Sequence, residues 1–260
     1  MMRILVTLLL LSSLPGVAAV EQFGYRILEK KPHDRSNWVQ GLEIHDGMLY
    51  LSAGKYGKSR LVRYDLDTGE LQVERRLNPA LFAEGITLLG DRLYQLTWKR
   101  RMFIEFSRDE LEALTWHPLP GQGWGLTNDG NHLIYTDGGD RLHYIDPETK
   151  RVVRSIPITE NGEPLYRVNE LEWVDGSIWG NVLPSDRIVI IDPKTGVVTA
   201  SIDLSGLLPI TERRPDTNIL NGIARNPENG DIWVTGKYWP WLYRIELIPI
   251  DPAPDADESR

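Results

Sequence analysis

The chain has 260 residues, a net charge of −8 and no cysteine. The lack of thiols excludes disulfides, a thiol nucleophile, zinc–thiolate sites and a lipoprotein anchor. The acidic balance argues against nucleic acid as a partner; Lys99-Arg100-Arg101, the densest basic run, reads as a solvated face.

The chain opens as an export signal. Arg3 gives a positive start, residues 4–14 are apolar apart from Thr7, Ser12 and Ser13, and Val17-Ala18-Ala19 fits a cleavage site. Residues 1–19 are therefore expected to be removed on the way to the periplasm or the medium, leaving no membrane attachment. The apolar run is too short for a spanning helix. Residues 20–250 read as one domain, expected to act as a monomer. Residues 251–260, rich in Asp and Ala, read as a disordered acidic tail.

Between these ends a pattern recurs five times. An Asp/Asn-Gly type of turn precedes an apolar strand at Asp46-Gly47, Gly90-Asp91, Asp129-Gly130, Asp175-Gly176 and Asn229-Gly230. Such dipeptides supply the positive φ that tight hairpins need. A second apolar strand follows each turn, at 61–65, 103–106, 142–146, 188–192 and 242–246. In three copies it runs into Asp-x-x-Thr, from Asp65, Asp146 and Asp192. A further strand closes four copies, at 71–77, 111–116, 152–156 and 197–202. Four strands in about 40 residues is the period of a propeller blade. The fifth copy lacks its last strand, and an orphan strand at 25–29 stands before the first copy. The reading is an all-β, five-bladed β-propeller whose last blade is closed by an N-terminal strand, which protects edges an open sheet would expose. Helix is scarce; 109–114 and 204–208 could form turns at most.

Each hairpin turn is preceded by a strand that begins alike: Gln40-Gly41-Leu42, Glu84-Gly85-Ile86, Trp124-Gly125-Leu126, Asn169-Glu170-Leu171 and Asn221-Gly222-Ile223. The first strand of a blade is innermost, so Gln40, Glu84, Trp124, Asn169 and Asn221 are expected to form one ring at the channel mouth. Glycine in four copies suits the close approach of five strands. Residues that differ at an equivalent crowded position suggest separate jobs. Glu84 is the one carboxylate at these five places, and loss of solvation there would raise its pKa toward that of a proton shuttle. Trp98 and Lys237 end the neighbouring strands in equivalent places; Lys237 sits in the aromatic run Gly236-Lys237-Tyr238-Trp239-Pro240. Trp98 and Trp124 could wall an apolar pocket.

Other chemistries leave no trace. There is no phosphate loop, no Gly-x-Ser-x-Gly and no His-Glu-x-x-His, and the five histidines lack ligand spacing. No cofactor is expected. Channel carbonyl and Asn oxygens could hold a structural calcium, but no residue pattern specifies one.

Several stretches together carry a resemblance. They are Pro32-His33-Asp34 with Val39-Gln40-Gly41-Leu42, Phe82-Ala83-Glu84-Gly85-Ile86-Thr87-Leu88, Tyr94-Gln95-Leu96-Thr97-Trp98 and Gly123-Trp124-Gly125-Leu126. Further ones are Asn169-Glu170-Leu171-Glu172, Asp186-Arg187-Ile188, Leu220-Asn221-Gly222-Ile223-Ala224 and Thr235-Gly236-Lys237-Tyr238-Trp239-Pro240. With these the chain resembles the plant and bacterial type of glutaminyl cyclase, a family of five-bladed propellers. The resemblance implies cyclisation of N-terminal glutamine on peptides or proteins to pyroglutamate, with release of ammonia and without a catalytic metal. The family's site pattern falls on Gln40, Phe82, Glu84, Trp98, Trp124, Asn169 and Lys237. Trp38 stands where the family often has Phe, and Leu183 where it often has another Trp. Within that reading Glu84, Lys237, Asn169 and Gln40 are the expected catalytic group. Trp98, Trp124, Phe82, Trp38 and, on its ring position alone, Asn221 are the expected substrate-binding group. Two other readings stay open: a non-catalytic propeller that captures peptide ends, which Leu183 keeps alive, and a calcium-dependent lactonase-type propeller, for which the ring offers too few carboxylates.

Overall fold

The computed structural model describes residues 19–250. The expected signal peptide (apart from its last residue) and the acidic tail lie outside the described residues. The described chain is almost wholly strand. After β1 (Glu21–Pro32), blade one is β2 (Val39–His45), β3 (Met48–Ala53), β4 (Arg60–Asp65) and β5 (Leu71–Arg76). Blade two is β6 (Ala83–Leu89), β7 (Arg92–Thr97), β8 (Met102–Ser107) and β9 (Ala113–Pro118). Blade three is β10 (Leu126–Asn128), β11 (Leu133–Tyr135), β12 (Arg141–Asp146) and β13 (Arg151–Pro157). A small hairpin of β14 (Thr159–Glu160) and β15 (Glu163–Pro164), absent from the sequence reading, leads to blade four. That blade is β16 (Val168–Val174), β17 (Ser177–Val182), β18 (Arg187–Ile191) and β19 (Val198–Asp203), and blade five holds β20 (Leu220–Arg225), β21 (Ile232–Gly236) and β22 (Trp241–Pro249). One 3-10 turn, Ile210–Glu212, is the helical element among the described residues.

The orphan strand closes the ring as the repeat required, and it does more. β1 runs antiparallel to β22 from Phe23 opposite Pro249 to Pro32 opposite Trp241. It is longer than the expected 25–29, and its first residues, Glu21 to Phe23, also pair in parallel with Ala200 to Ile202 of β19. Blades four and five thereby become one eight-stranded sheet. The remaining blades are separate four-stranded sheets in sequence order.

Strand alternation explains where the core lies. Apolar residues on facing blade surfaces meet in five clusters, one at each blade-to-blade interface. Leu51, Val62, Ala224 and Leu242 join blade one to blade five, and Leu61, Ile86, Leu93 and Phe106 join blade one to blade two. Leu96, Phe103, Leu126 and Tyr135 continue the series between blades two and three. Each such fully buried side chain contributes roughly 1.5–3 kcal/mol. The Asp-x-x-Thr repeat has a local cause as well. Asp65 Oδ1 accepts from the backbone N–H groups of Asp67 and Thr68, and Asp146 and Asp192 do the same for the residues that follow them. Each carboxylate thus builds the turn between the third and fourth strands of its blade.

The inner strands pack so closely that the glycines at their starts are obligatory. A Cβ on Gly125 would stand 1.7 Å from the Asn169 carbonyl oxygen, and one on Gly85 would stand 2.4 Å from the Leu126 nitrogen. Blade four has Glu170 at this place. Its Oε1 accepts from Leu42 N–H at 3.2 Å and its Oε2 from Ile223 N–H at 2.9 Å. One side chain therefore ties blade four to the inner strands of blades one and five.

Candidate active site

The five inner strands start at one face of the ring, and four of them are irregular there. The pairing register shifts between Val39 and Gly41, Ala83 and Ile86, Val168 and Leu171, and Leu220 and Ile223. A bulge gives a strand an extra residue and re-aims its side chain. The residues caught in these bulges include Gln40, Glu84, Asn169 and Asn221. The second strand of each blade returns to the same face. Trp98 follows the end of β7 and Lys237 follows the end of β21. Thr97 Oγ1 bonds both N–H and C=O of Met102, and Thr235 Oγ1 donates to the Trp241 carbonyl, which hold those two hairpin ends in place.

A cavity of about 150 Å³ opens at this mouth. Trp38, Gln40, Phe82, Glu84, Trp98, Trp124, Asn169, Leu183 and Lys237 line it. Every residue expected at the site is in this lining except Asn221, which is fully buried behind it. Asn221 stands behind Gln40 and Asn169 and outside the lining. Its Oδ1 accepts from Asn169 Nδ2 at 2.8 Å, and its Nδ2 donates to the Val39 carbonyl at 2.9 Å and to Gln40 Oε1 at 3.4 Å. No polar atom is left over for a ligand.

The walls are aromatic. Phe82 and Trp98 meet edge to face at 5.5 Å, and half-exposed Tyr56 packs on Phe82 at 5.4 Å. Gly54 follows the end of β3, where Trp98 and Lys237 stand in their blades; a Cβ there would come within 2.3 Å of the Phe82 ring. Gly138 likewise leaves room for the Trp124 ring, which a Cβ would approach to 2.6 Å. On the opposite side Trp38 lies against Tyr238 at 5.1 Å. Two ammonium groups flank Trp38: Lys55 Nζ at 3.5 Å and Lys237 Nζ at 5.3 Å from the ring centroid.

Glu84 is 3% exposed and accepts a short hydrogen bond from Gln40 Nε2. Burial pushes its pKa well above the usual carboxylate range, although Lys237 and Gln40 each pull it back. Lys237 is 4% exposed, with its ammonium 5.3 Å from the Trp38 ring centroid. Burial lowers its pKa to about 8, against the raising field of Glu84 and with help from Lys55. A carboxyl and an amine are thus both drawn toward neutrality inside one aromatic pocket. Such a pair can exchange protons with a bound amine near neutral pH.

Other carboxylates lie along the inner strands away from the five front positions. Glu170, one residue past the ring position, is 1% exposed, and Glu43 and Glu172 are buried or partly buried farther down the channel. All three are raised in pKa by burial, Glu43 to about 8. Glu84 is nevertheless distinct among them. Glu170 has both oxygens on backbone N–H groups, Glu43 Oε2 accepts from Leu88 N–H, and Glu172 Oε1 accepts from Arg225 N–H. Glu84 is the carboxylate that lines the cavity. The apolar neighbours of Glu43 (Leu42, Ile44) and of Glu172 (Leu171, half-buried Trp173) are the sequence signal for the burial of both. Lys55 and Tyr56 directly follow Gly54, the equivalent of Trp98 in blade one, and that neighbourhood is readable from the strand ends.

Comparison with known proteins gives the family. The family model described as glutamine cyclotransferase matches residues 2–247. The chain is 37% identical over 229 residues to a glutaminyl-peptide cyclotransferase of Arabidopsis thaliana, covering 85% of this chain and 70% of that protein. It superposes on the crystal structure of Myxococcus xanthus glutaminyl cyclase with a TM-score of 0.83 and 32% identity, covering 89% of this chain and all of the other. A five-bladed ring with this pocket, matched along nearly its whole length by sequence and by fold, belongs to the glutamine cyclotransferase family.

Proposed function

We propose that this chain is a glutaminyl-peptide cyclotransferase that closes the N-terminal glutamine of a peptide or protein to pyroglutamate and releases ammonia. The observation that carries the reading is the placement of buried Glu84 and Lys237 in one small aromatic cavity with two amide side chains. The donor set, one carboxylate, two amides and one ammonium, suits an amine and an amide held side by side.

The reaction begins with an uncharged α-amine, whose free pKa lies near 7.7–8. The amine nitrogen attacks its own γ-carbon, and the new N–C bond closes a five-membered ring. Because attack is intramolecular, holding the near-attack shape supplies much of the acceleration. Glu84 takes the proton that the amine gives up. The γ-oxygen gains charge, and Lys237 stabilises it. Glu84 then returns the proton to the γ-nitrogen, the C–N bond breaks, and ammonia leaves. Gln40 and Asn169 hold the reacting amine and amide. Phe82, Trp98, Trp124 and Trp38 enclose the side chain and keep water away, which favours ring closure over hydrolysis. Leu183 leaves one side of the wall less aromatic.

The same reading includes catalysis without a metal, action as a monomer after export, and no lasting membrane attachment. The test is mass spectrometry on a Gln-initiated peptide with and without a strong chelator. Loss of ammonia that the chelator leaves unchanged is the expected result. No loss at high enzyme concentration makes the protein a binder of peptide ends instead, and loss abolished by the chelator contradicts the metal-free mechanism.

A further inference from the structure

We infer that Asn221 is a positioning residue that sets the direction of every amide hydrogen bond around the pocket, and so decides which atoms Gln40 and Asn169 present. The inference rests on the cyclase reading of the site. It starts from one backbone group. A carbonyl oxygen can only accept, so the Asn221 atom 2.9 Å from the Val39 oxygen must be Nδ2. That choice leaves no freedom further along. Asn221 Oδ1 then faces Asn169 at 2.8 Å, and Asn169 must answer with its own Nδ2. The second hydrogen of Asn221 Nδ2 points to Gln40, which must answer with Oε1 at 3.4 Å. Gln40 is left with Nε2 toward Glu84, where it donates.

Two chemical consequences follow. Glu84 receives a donor on one oxygen, which favours its ionised form and leaves the other oxygen for the substrate amine. Asn169 turns its Nδ2 toward Asn221, so the opposite arm of its amide is Oδ1, an acceptor suited to an N–H of the amine or of the γ-amide. Asn221 does this without touching the cavity, at 0% exposure. The charged groups around Glu84 are Lys237 across the pocket and, beyond it against the Trp38 ring, Lys55.

Asn221→Asp tests the direction while keeping the size. An aspartic acid has at most one donor, its O–H, and the Val39 carbonyl takes it, so Gln40 turns to donate to it and shows Oε1 to Glu84, which stabilises protonated Glu84. In the pH profile of kcat/KM, the limb belonging to Glu84 is expected to move upward by about one pH unit, while the limb of the substrate amine stays. The introduced charge could act directly through space, so the same substitution is made in a Gln40→Leu background. There the shift is expected to vanish. An unmoved limb, or a shift that persists undiminished without Gln40, overturns the proposal. Should Asn221→Asp fail to fold, the unmodified protein still decides. The side-chain NH2 resonances of Gln40 are expected to follow the titration of Glu84, and signals indifferent to it overturn the assignment. Failure of the cyclase reading would show separately, as a wild-type protein inert toward Gln-peptides.

Discussion

Replacing Glu84 by Gln removes the proposed proton carrier and little else. The side chain is 3% exposed and bonded to Gln40, and an amide oxygen can still accept from Gln40 Nε2. The ring should therefore fold, and the substrate should still bind. What is lost is the group that takes the amine proton and returns it to the leaving nitrogen. General acid–base catalysis of this kind is worth about 10²–10⁴-fold, which is roughly 3–5 kcal/mol of barrier. Because the interaction is made only on the way to the transition state, kcat and kcat/KM should fall together with KM nearly unchanged. Lys237 is affected as well. Its pKa of about 8 is held up by Glu84, so the variant should bring it lower. A continuous assay of ammonia release, with far-UV circular dichroism as the folding control, reads the effect. A folded Glu84→Gln protein within about threefold of wild-type kcat would refute the assignment, since the smallest expected loss is about 10²-fold.

Other changes probe separate links. Lys237→Met should lower kcat by about 10²–10³, the usual loss of one oxyanion-stabilising group; the fall in wild-type rate above pH about 8, where Lys237 loses its proton, should disappear with it. Steady-state kinetics against pH checks both, and an unchanged basic limb contradicts the role. Gly125→Ala should destabilise the ring by about 1–3 kcal/mol or more, because the added carbon lands 1.7 Å from the Asn169 oxygen; a melting temperature equal to wild type would show that the inner strands are not so tightly packed. Glu43 has a pKa raised to about 8 by burial, so the folded state holds its proton more tightly than the unfolded chain. Its contribution is complete below pH 4.5 and is lost as pH rises through about 8. Glu43→Gln, which can keep the bond to Leu88 N–H, should therefore flatten the decline in unfolding free energy between pH 5 and 8.5, by an amount on the order of a few kcal/mol. Urea titrations at several pH values measure this, and an unaltered slope would refute it.

The propeller was legible because its signals are local and repeated. Each Asp-Gly or Asn-Gly turn and each Asp-x-x-Thr is read within a few residues, and the missing fifth outer strand left β1 with one place to go. The double pairing of β1 was not legible, since no local pattern says that Glu21 to Phe23 reach past blade five to β19. The site was legible in its members but not in its geometry. Aligning the copies put Gln40, Glu84, Asn169 and Asn221 at one level, yet equal level does not mean equal access. The bulges that turn three of these side chains to the cavity and leave Asn221 behind them arise from crowding among five strands. The same crowding explains Glu170. In a strand taken alone it stands where the other four copies have glycine; in the ring it bridges three blades.

The central claim is that this pocket joins the α-amine of a glutamine to its own γ-carbon, with water shut out. A peptide beginning with γ-15N-glutamine, incubated with the enzyme in 18O-water and compared with an enzyme-free control, tests it most directly. The account predicts that the label appears in ammonia, at a rate far above the control, and that the peptide product is pyroglutamyl without 18O. A glutamyl product carrying 18O, or a peptide that keeps its 15N, would contradict it.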